Sequence, residues 1–161
     1  RELSKPDLII EPMDIEFSNN APTELQNVRM TANIHHVGIS EIGPVLVEFF
    51  DGDPYSGGTL IGNRTYSTVS PGEMVTAYID WQAISGMHDI YVKVGLPNFT
   101  YESDETNNMA FEPIFVSPIK QLSALERLLI GAEKSSIVFS AMLFLAMLCL
   151  GLFVSKLIFK L

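Results

Sequence analysis

The sequence predicts an all-β domain, an antiparallel sandwich of seven strands, followed by an amphipathic linker helix and one transmembrane helix. Three observations lead to this prediction. Seven short segments alternate apolar and polar residues, which is the period of a strand with one buried face. Gly, Pro and Asn turns separate these segments, and no helical period occurs among them. An uncharged run, Ser135 to Ser155, follows near the end of the chain.

The strand candidates cover residues 7–117, which we assign to the sandwich, after a polar linker of residues 1–6. The first candidate is interrupted by Pro12, and a proline suits an edge strand because it cannot donate to a neighbour. The seven segments are 7–17, 28–35, 45–50, 59–65, 75–81, 88–94 and 109–116.

Alternation also predicts which side chains form the core. The inward sets on the two most regular segments are Val28, Met30, Ala32 and Ile34, and Val75, Ala77, Ile79 and Trp81. We expect Trp81, the single tryptophan, to anchor the core.

Residues 118–134 are expected to form an amphipathic helix. Ile119, Leu122, Leu125 and Leu129 follow a helical period, and Pro118 suits a first helical turn. This helix could lie in the headgroup layer, pack on a neighbouring subunit, or act as a spacer.

Residues 135–159 are predicted to cross a membrane, because a bilayer core about 30 Å thick needs about 20 apolar helical residues. Lys156 and Lys160 follow the uncharged run Ser135 to Ser155, so the tail, residues 160–161, is expected in the cytoplasm and the sandwich outside. Small-residue pairs at helix-contact spacing could seat a partner helix, or reflect ordinary membrane composition. They are Ser136 with Ser140, and Gly151 with Ser155.

Composition restricts the partners. Residues 1–117 carry 17 acids and 5 bases, so this part should repel nucleic acid and anionic headgroups. The single cysteine, Cys149, lies in the apolar run, and a cysteine-free outer domain favours a prokaryotic surface. The chain begins at Arg1, so we expect that an amino-terminal segment was removed or that a longer protein precedes it.

Several motifs, in order along residues 5–117, resemble the CARDB family, the cell-adhesion-related domain of bacteria and archaea. They are Lys5 to Leu8, Asn27 to Gly38, Val47 to Pro54, Gly57 to Gly62, Ser70 to Gly72, Gly86 to Val92, and Glu102 to Asn108 with its DETNN sequence. The resemblance implies a sandwich of the immunoglobulin or fibronectin kind. It also implies a non-enzymatic adhesion, spacer or accessory role. The chain departs from the family at Gly95 to Asn98, where the family often has an aspartate.

The DETNN segment also supplies candidate metal ligands. Asp104, Glu105, Asn107 and Asn108 carry the oxygen atoms that Ca²⁺ prefers. The alternative is that the two asparagines bond the backbone at the corner between loop and strand. Apart from this calcium candidate, the sequence implies no cofactor.

Two N-glycosylation sequons begin at Asn63 and Asn98, on the expected outer side. Both could be modified in an archaeal glycoprotein, or both could be chance matches. In either case their positions agree with an outer sandwich.

No enzyme is expected. His35 and His36 are neighbours in a strand and should point to opposite faces, and His88 lies on an inward set. No nucleophile, base and orienting acid occur together.

Two functions therefore remain open for a single-pass membrane protein. One is an accessory or structural subunit of a surface or membrane assembly, with the lipid bilayer and other proteins as partners. The other is an anchored adhesin or receptor for carbohydrate, peptide or cell-wall material. Neither implies a small-molecule substrate or nucleic acid.

Overall fold

The computed structural model describes residues 5–95, 102–120, 131 and 134–141. Within these ranges it contains eight strands, and every pairing between them is antiparallel. The strands are β1 (Leu8–Ile9), β2 (Ile15–Phe17), β3 (Asn27–His36), β4 (Val45–Asp51), β5 (Thr59–Tyr66), β6 (Met74–Gln82), β7 (Gly86–Gly95) and β8 (Met109–Val116).

The strands form two sheets of four, which confirms the predicted antiparallel β-sandwich. In the first sheet, β3 pairs with β6 on one side and with both β1 and β2 on the other. The second sheet has the order β5-β4-β7-β8.

The first predicted strand is two strands, which is why eight are found where seven were predicted. A 3-10 turn, Pro12–Asp14, separates β1 from β2 along the same edge of β3. The backbone N–H of Glu11 donates to Asp14 Oδ2 at 2.8 Å, and that of Asp14 donates to the carbonyl of Glu11 at 3.0 Å. These bonds stabilise the turn, and Asp14 also contacts His35 of β3 at 3.0 Å.

The core lies between the sheets, where the inward side chains of both interdigitate. The inward sets predicted for β3 and β6 are buried, as is Trp81. The ring of Trp81 meets that of His88 edge-on at 5.1 Å. From the second sheet, Val47, Phe49 and Val92 are fully buried.

A register shift in the second sheet affects its outer face. Between Phe49 and Phe50 the pairing of β4 with β5 slips by one residue. Phe50 therefore pairs with Leu60, and Ile61 packs against the core instead.

The chain divides into two compact units, Arg1–Ile119 and Lys120–Leu161. The helix predicted to begin at Pro118 does not begin there, because residues 118–120 are not helical. Instead, the backbone follows the edge of the sandwich: the N–H of Ser117 donates to Pro22 O at 2.9 Å, and the Ile119 N–H to Glu24 Oε2 at 3.4 Å.

In the second unit, residues 134–141 are helical. Among the residues that the structure describes, no helix is long and apolar enough to cross a membrane. Most of the predicted spanning segment, from residue 142 to residue 159, lies outside these residues, as do residues 121–130 of the predicted linker helix.

Adjacent phenylalanines on β4 give a matched test of this register. Phe49 is fully buried and Phe50 faces outward, so we expect Phe49→Ala to lower the free energy of unfolding by about 3–5 kcal/mol. Phe50→Ala should cost about 1 kcal/mol or less, because it leaves no core cavity. Denaturant unfolding followed by Trp81 fluorescence measures both variants. Equal losses would contradict the assigned register.

Candidate functional site

One row of apolar side chains crosses the outer face of the second sheet. Leu60, Phe50, Tyr91 and Phe111 are cross-strand partners on β5, β4, β7 and β8. Phe50, Tyr91 and Phe111 alternate with buried neighbours, so they point away from the core. Leu60, the cross-strand partner of Phe50, is exposed on the same outer face. The row therefore spans the full width of the sheet.

A second outward apolar pair, Met87 with Phe115, lies further along β7 and β8, beyond the outward pair of Asp89 and Pro113. Both are more than half exposed, at 68% and 54%. We call the six residues together the aromatic face: Phe50, Leu60, Met87, Tyr91, Phe111 and Phe115. Exposed apolar side chains occur singly on most proteins, whereas a contiguous group marks an interaction site.

The centre of the aromatic face is held in one geometry. The rings of Tyr91 and Phe111 stack with centroids 4.8 Å apart and planes inclined by 17°. Along its border, Lys93 lies 5.1 Å from the Tyr55 ring and is the cross-strand partner of Glu48. An ordered surface of this kind loses little entropy when it binds a partner.

The outer face of the first sheet is different, since its exposed side chains are mainly polar. Arg29 donates to both carboxylate oxygens of Asp80, at 2.8 and 3.0 Å, and its guanidinium lies 4.6 Å from the Tyr78 ring. Thr76 donates to Asn33 at 2.8 Å. These contacts satisfy the polar groups and leave this face suited to water.

A cleft of about 480 Å³ opens where the sandwich separates between the edge strands β2 and β8. Its lining residues are Ile15, Glu16, Phe17, Asn20, Glu112, Pro113 and Ile114. Two glutamates make it acidic, and Pro113 has no N–H to offer an added strand.

A second cluster, which we call the closing corner, joins the segment before β8 to the start of β1. Glu102 is 5% exposed, and its carboxylate accepts the N–H of Leu8 at 2.9 Å and the amide of Asn108 at 3.1 Å. The side-chain amide of Asn107 donates to Asp7 Oδ1 at 3.1 Å, and the backbone carbonyl of Asn107 accepts the N–H of Ile10 at 3.1 Å.

The four predicted metal-ligand candidates occupy different environments. The side chains of Asn107 and Asn108 belong to the closing corner. The backbone carbonyl of Asn108 also accepts the N–H of Val94 at 2.8 Å. Asp104 instead accepts the N–H and hydroxyl of Thr106 at 2.8 and 2.6 Å, and Glu105 is exposed. Among the residues described, no three His, Cys, Asp or Glu side chains are placed to hold a metal ion.

Glu102 and Asp7 were missed as members of this cluster. Glu102 lies in a polar loop, and nothing in its neighbours predicts burial. Burial raises the pKa of the Glu102 carboxyl, and the nearby charges of Asp7 and Glu105 raise it further against the opposing bonds from Leu8 and Asn108.

The remaining predicted positions are separate from both clusters. Asn63 is exposed on the edge strand β5, whereas Asn98 lies outside the described residues. Ser136 and Ser140 are exposed within helical residues 134–141, and Gly151 and Ser155 lie outside the described residues.

The histidines also lie apart. His36 is buried, while His35 points to the opposite face and contacts Asp14 at 3.0 Å, so the opposite orientations are confirmed. His88 lies beneath Trp81, with its ring nitrogens 2.8 Å from Asp51 Oδ2 and 2.8 Å from the carbonyl of Ile84. The three histidines therefore occupy separate environments, and neither buried ring nitrogen of His36 has a hydrogen-bond partner.

The raised pKa of Glu102 predicts a pH dependence of stability. A carboxyl that holds its proton more tightly in the folded state contributes most below its ordinary pKa of 4.5, and loses that contribution as the pH rises. We expect Glu102→Gln to remove this loss, so the variant should gain stability relative to the natural chain as the pH rises above the ordinary value of 4.5. Unfolding curves across that range measure the difference. A difference that stays constant with pH would contradict the raised pKa.

Comparisons with known proteins agree with this architecture. A model of the CARDB family matches residues 5–112. The crystal structure of the CARDB domain of PF1109 from Pyrococcus furiosus, in complex with di-metal ions, is 22% identical. The match covers 73% of this chain and 99% of that one, with a TM-score of 0.61.

Two further solved structures share the fold. Residues 272–376 of a putative cell surface protein from Methanosarcina acetivorans are 16% identical, with a TM-score of 0.53 and coverage of 70% of this chain and 92% of that one. A Geobacter metallireducens protein, GmR58A, is 25% identical, with a TM-score of 0.52 and coverage of 69% and 96%. No curated protein matches. Since the family model covers more than half of its residues, this chain belongs to the CARDB family.

Proposed function

We propose that this chain is a non-enzymatic, single-pass membrane protein whose outer β-sandwich serves as an accessory or structural subunit of a prokaryotic, archaeal surface or membrane assembly. The family supports a surface-associated role without catalysis. The anchor is supported by the apolar sequence of residues 135–159, and the orientation by Lys156 and Lys160.

The aromatic face is the observation that carries this proposal. The first sheet satisfies its polar groups on its own outer face, whereas the second exposes a row of apolar side chains across its full width to water. Tyrosine is enriched among the residues that dominate binding energy at interfaces, because it buries a large rigid ring with a polar end. We infer that a partner protein covers this surface.

The charges around the aromatic face favour a partner with an apolar centre and a basic border. Asp89 is an outward neighbour of the row on β7, while Glu48 on β4 lies opposite Lys93, its cross-strand partner, within a domain that carries excess acid. Acidic groups at a border steer basic partners and repel acidic ones. If Asn63 carries a glycan, the partner should approach from the β7–β8 side, because Asn63 lies opposite Glu48 on the edge strand.

The alternative is an anchored adhesin or receptor, and two observations favour it. The stacked rings of Tyr91 and Phe111 would suit the flat apolar side of a sugar ring. The acidic cleft beside Glu16 and Glu112 would suit a basic extended peptide. In either case the ligand would be external to the membrane, and the chain would purify without a fixed partner.

Purification from the native membrane in mild detergent, followed by mass spectrometry, distinguishes these functions. A subunit should retain a fixed, stoichiometric set of membrane or surface proteins. A monomeric chain that is reproducibly free of partners would contradict the subunit proposal and favour the adhesin.

A matched pair of variants tests the surface itself. Phe111→Glu places a charge in the centre of the aromatic face, so we expect about 30-fold less retained partner, equivalent to losing about 2 kcal/mol at an interface hot spot. Tyr78→Glu changes an exposed aromatic residue on the opposite sheet and should retain the partner. Unchanged melting temperatures, within about 3 °C, control for folding. Equal retention by the two variants would exclude the aromatic face as the interface.

A further inference from the structure

The two open sides of the sandwich differ. On one side the edge strands are β5 and β6, and the Tyr66 hydroxyl on β5 donates to the carbonyl of Thr76 on β6 at 2.8 Å. On the other side, the edge strands β2 and β8 border the acidic cleft of about 480 Å³. Because a sheet edge presents backbone groups that a neighbouring strand would satisfy, the cleft side is where an added strand could pair.

The pairing of β8 with β7 determines which of its backbone groups face this side. The N–H of Val94 donates to the carbonyl of Asn108, and bonded pairs alternate along antiparallel strands, so the even-numbered residues of β8 bond β7. The backbone groups of the odd-numbered residues 109–115 therefore point to the open edge. Pro113 agrees with this arrangement, since it has no N–H to donate to β7.

The chain itself covers the last part of this edge. Ser117 continues the outward-pointing set, and its N–H donates to the carbonyl of Pro22 at 2.9 Å while its carbonyl accepts the N–H of Glu24 at 2.8 Å. Thr23 thereby pairs with Ser117 in a parallel bridge. Among the residues that the structure describes, no group bonds the outward backbone of residues 109–115. The edge thus accepts an extended segment at one end and is uncovered before it.

We propose that the uncovered edge of β8 binds an extended peptide segment in which basic and apolar residues alternate. Successive side chains of an added strand point to opposite faces of the sheet. One set lies beside Phe111 and Phe115 on the outer face, where apolar side chains would form cross-strand pairs. The other set enters the cleft beside Glu112, where a lysine or arginine would meet a carboxylate.

The cleft suits a basic side chain in both its apolar and its charged parts. Ile15 and Ile114 are buried residues of its lining, so the aliphatic stem of lysine or arginine has apolar contacts there. In the described part of the chain, neither Glu16 nor Glu112 forms a hydrogen bond or ion pair through its carboxylate. A cation in the cleft would gain charge-assisted hydrogen bonds, and the volume lies within the range of about 300–1,000 Å³ typical of binding sites.

The charges disfavour a second copy of this chain as the occupant. Pairing two β8 edges would bring two copies of Glu112 together, and residues 1–117 carry 17 acids against 5 bases. Pro113 would also remove a bond from each copy. The edge and the cleft are independent of the membrane anchor, so the site would serve an accessory subunit and an adhesin alike.

Two synthetic peptides of identical composition test the proposal. One alternates lysine with valine, and the other has all its lysines before all its valines. Both carry the same charge, but only the alternating peptide presents bases and apolar side chains on opposite faces of a strand. Titrated against the full chain in mild detergent, it should bind about tenfold more tightly than the block peptide. Equal affinities, or no binding of the alternating peptide at millimolar concentration, would overturn the proposal.

Amide hydrogen exchange resolved by residue locates the bound peptide. The N–H groups of Phe111 and Phe115 point to the edge, so they should exchange about tenfold more slowly when the alternating peptide is bound. The N–H of Ile114 already bonds β7 and should change little. Unchanged exchange at positions 111 and 115 would exclude the edge. Slow exchange there without peptide, in a dimer that forms with rising concentration, would assign the edge to a second copy.

A matched pair of variants tests the charge in the cleft. Glu112→Gln keeps the shape of the side chain but removes its charge, so the alternating peptide should bind about tenfold more weakly. Glu41→Gln makes the same change at an exposed position outside the cleft and should leave the affinity unchanged. Melting temperatures within about 3 °C of the natural chain control for folding. Equal affinities of the two variants would contradict the role of Glu112.

Discussion

The two-residue alternation of the strands, with one side buried, is the constraint on which the rest of the structure depends. Ile90 and Val92 pack inside the sandwich, and this places Tyr91 outside. On β8, burial of Ile114 and Val116 places Phe115 outside in the same way. A slip of one residue would exchange the two sets, so the register that builds the core also assembles the aromatic face.

The closing corner holds the first strand in place, which the alternation of buried residues alone does not do. β1 is only two residues long, and its two residue pairs with β3 contribute little stability. Glu102 adds a bond to the backbone of Leu8, and Asn107 adds one to Ile10, so the loop before β8 fixes the first strand. The buried carboxylate of Glu102 thus links the first strand of one sheet to the segment that enters the last strand of the other. The oxygen atoms around it belong to the groups that form this link.

The sequence predicts the sandwich and most of its core because periodicity is local: the inward residues of β3 and β6 are all buried. Pairing is not local, so the row from Leu60 to Phe111 could not be predicted. It depends on the slip at Phe49 and Phe50. Glu102 lies in a polar loop, and its burial depends on contact with Leu8 of β1, which is distant in sequence. Residues 118–120 are not helical, and the Ile119 N–H bonds Glu24, a tertiary contact that a helical period in the sequence cannot show.

Site-specific photo-crosslinking in intact native membranes tests the central claim, that a partner protein covers the aromatic face, most directly. A photoreactive phenylalanine analogue replaces either Phe111 or Tyr78, which are both exposed aromatic residues on opposite sheets. We expect one discrete crosslinked protein from position 111 and none from position 78. Equal labelling from both positions, or from neither, would contradict the claim.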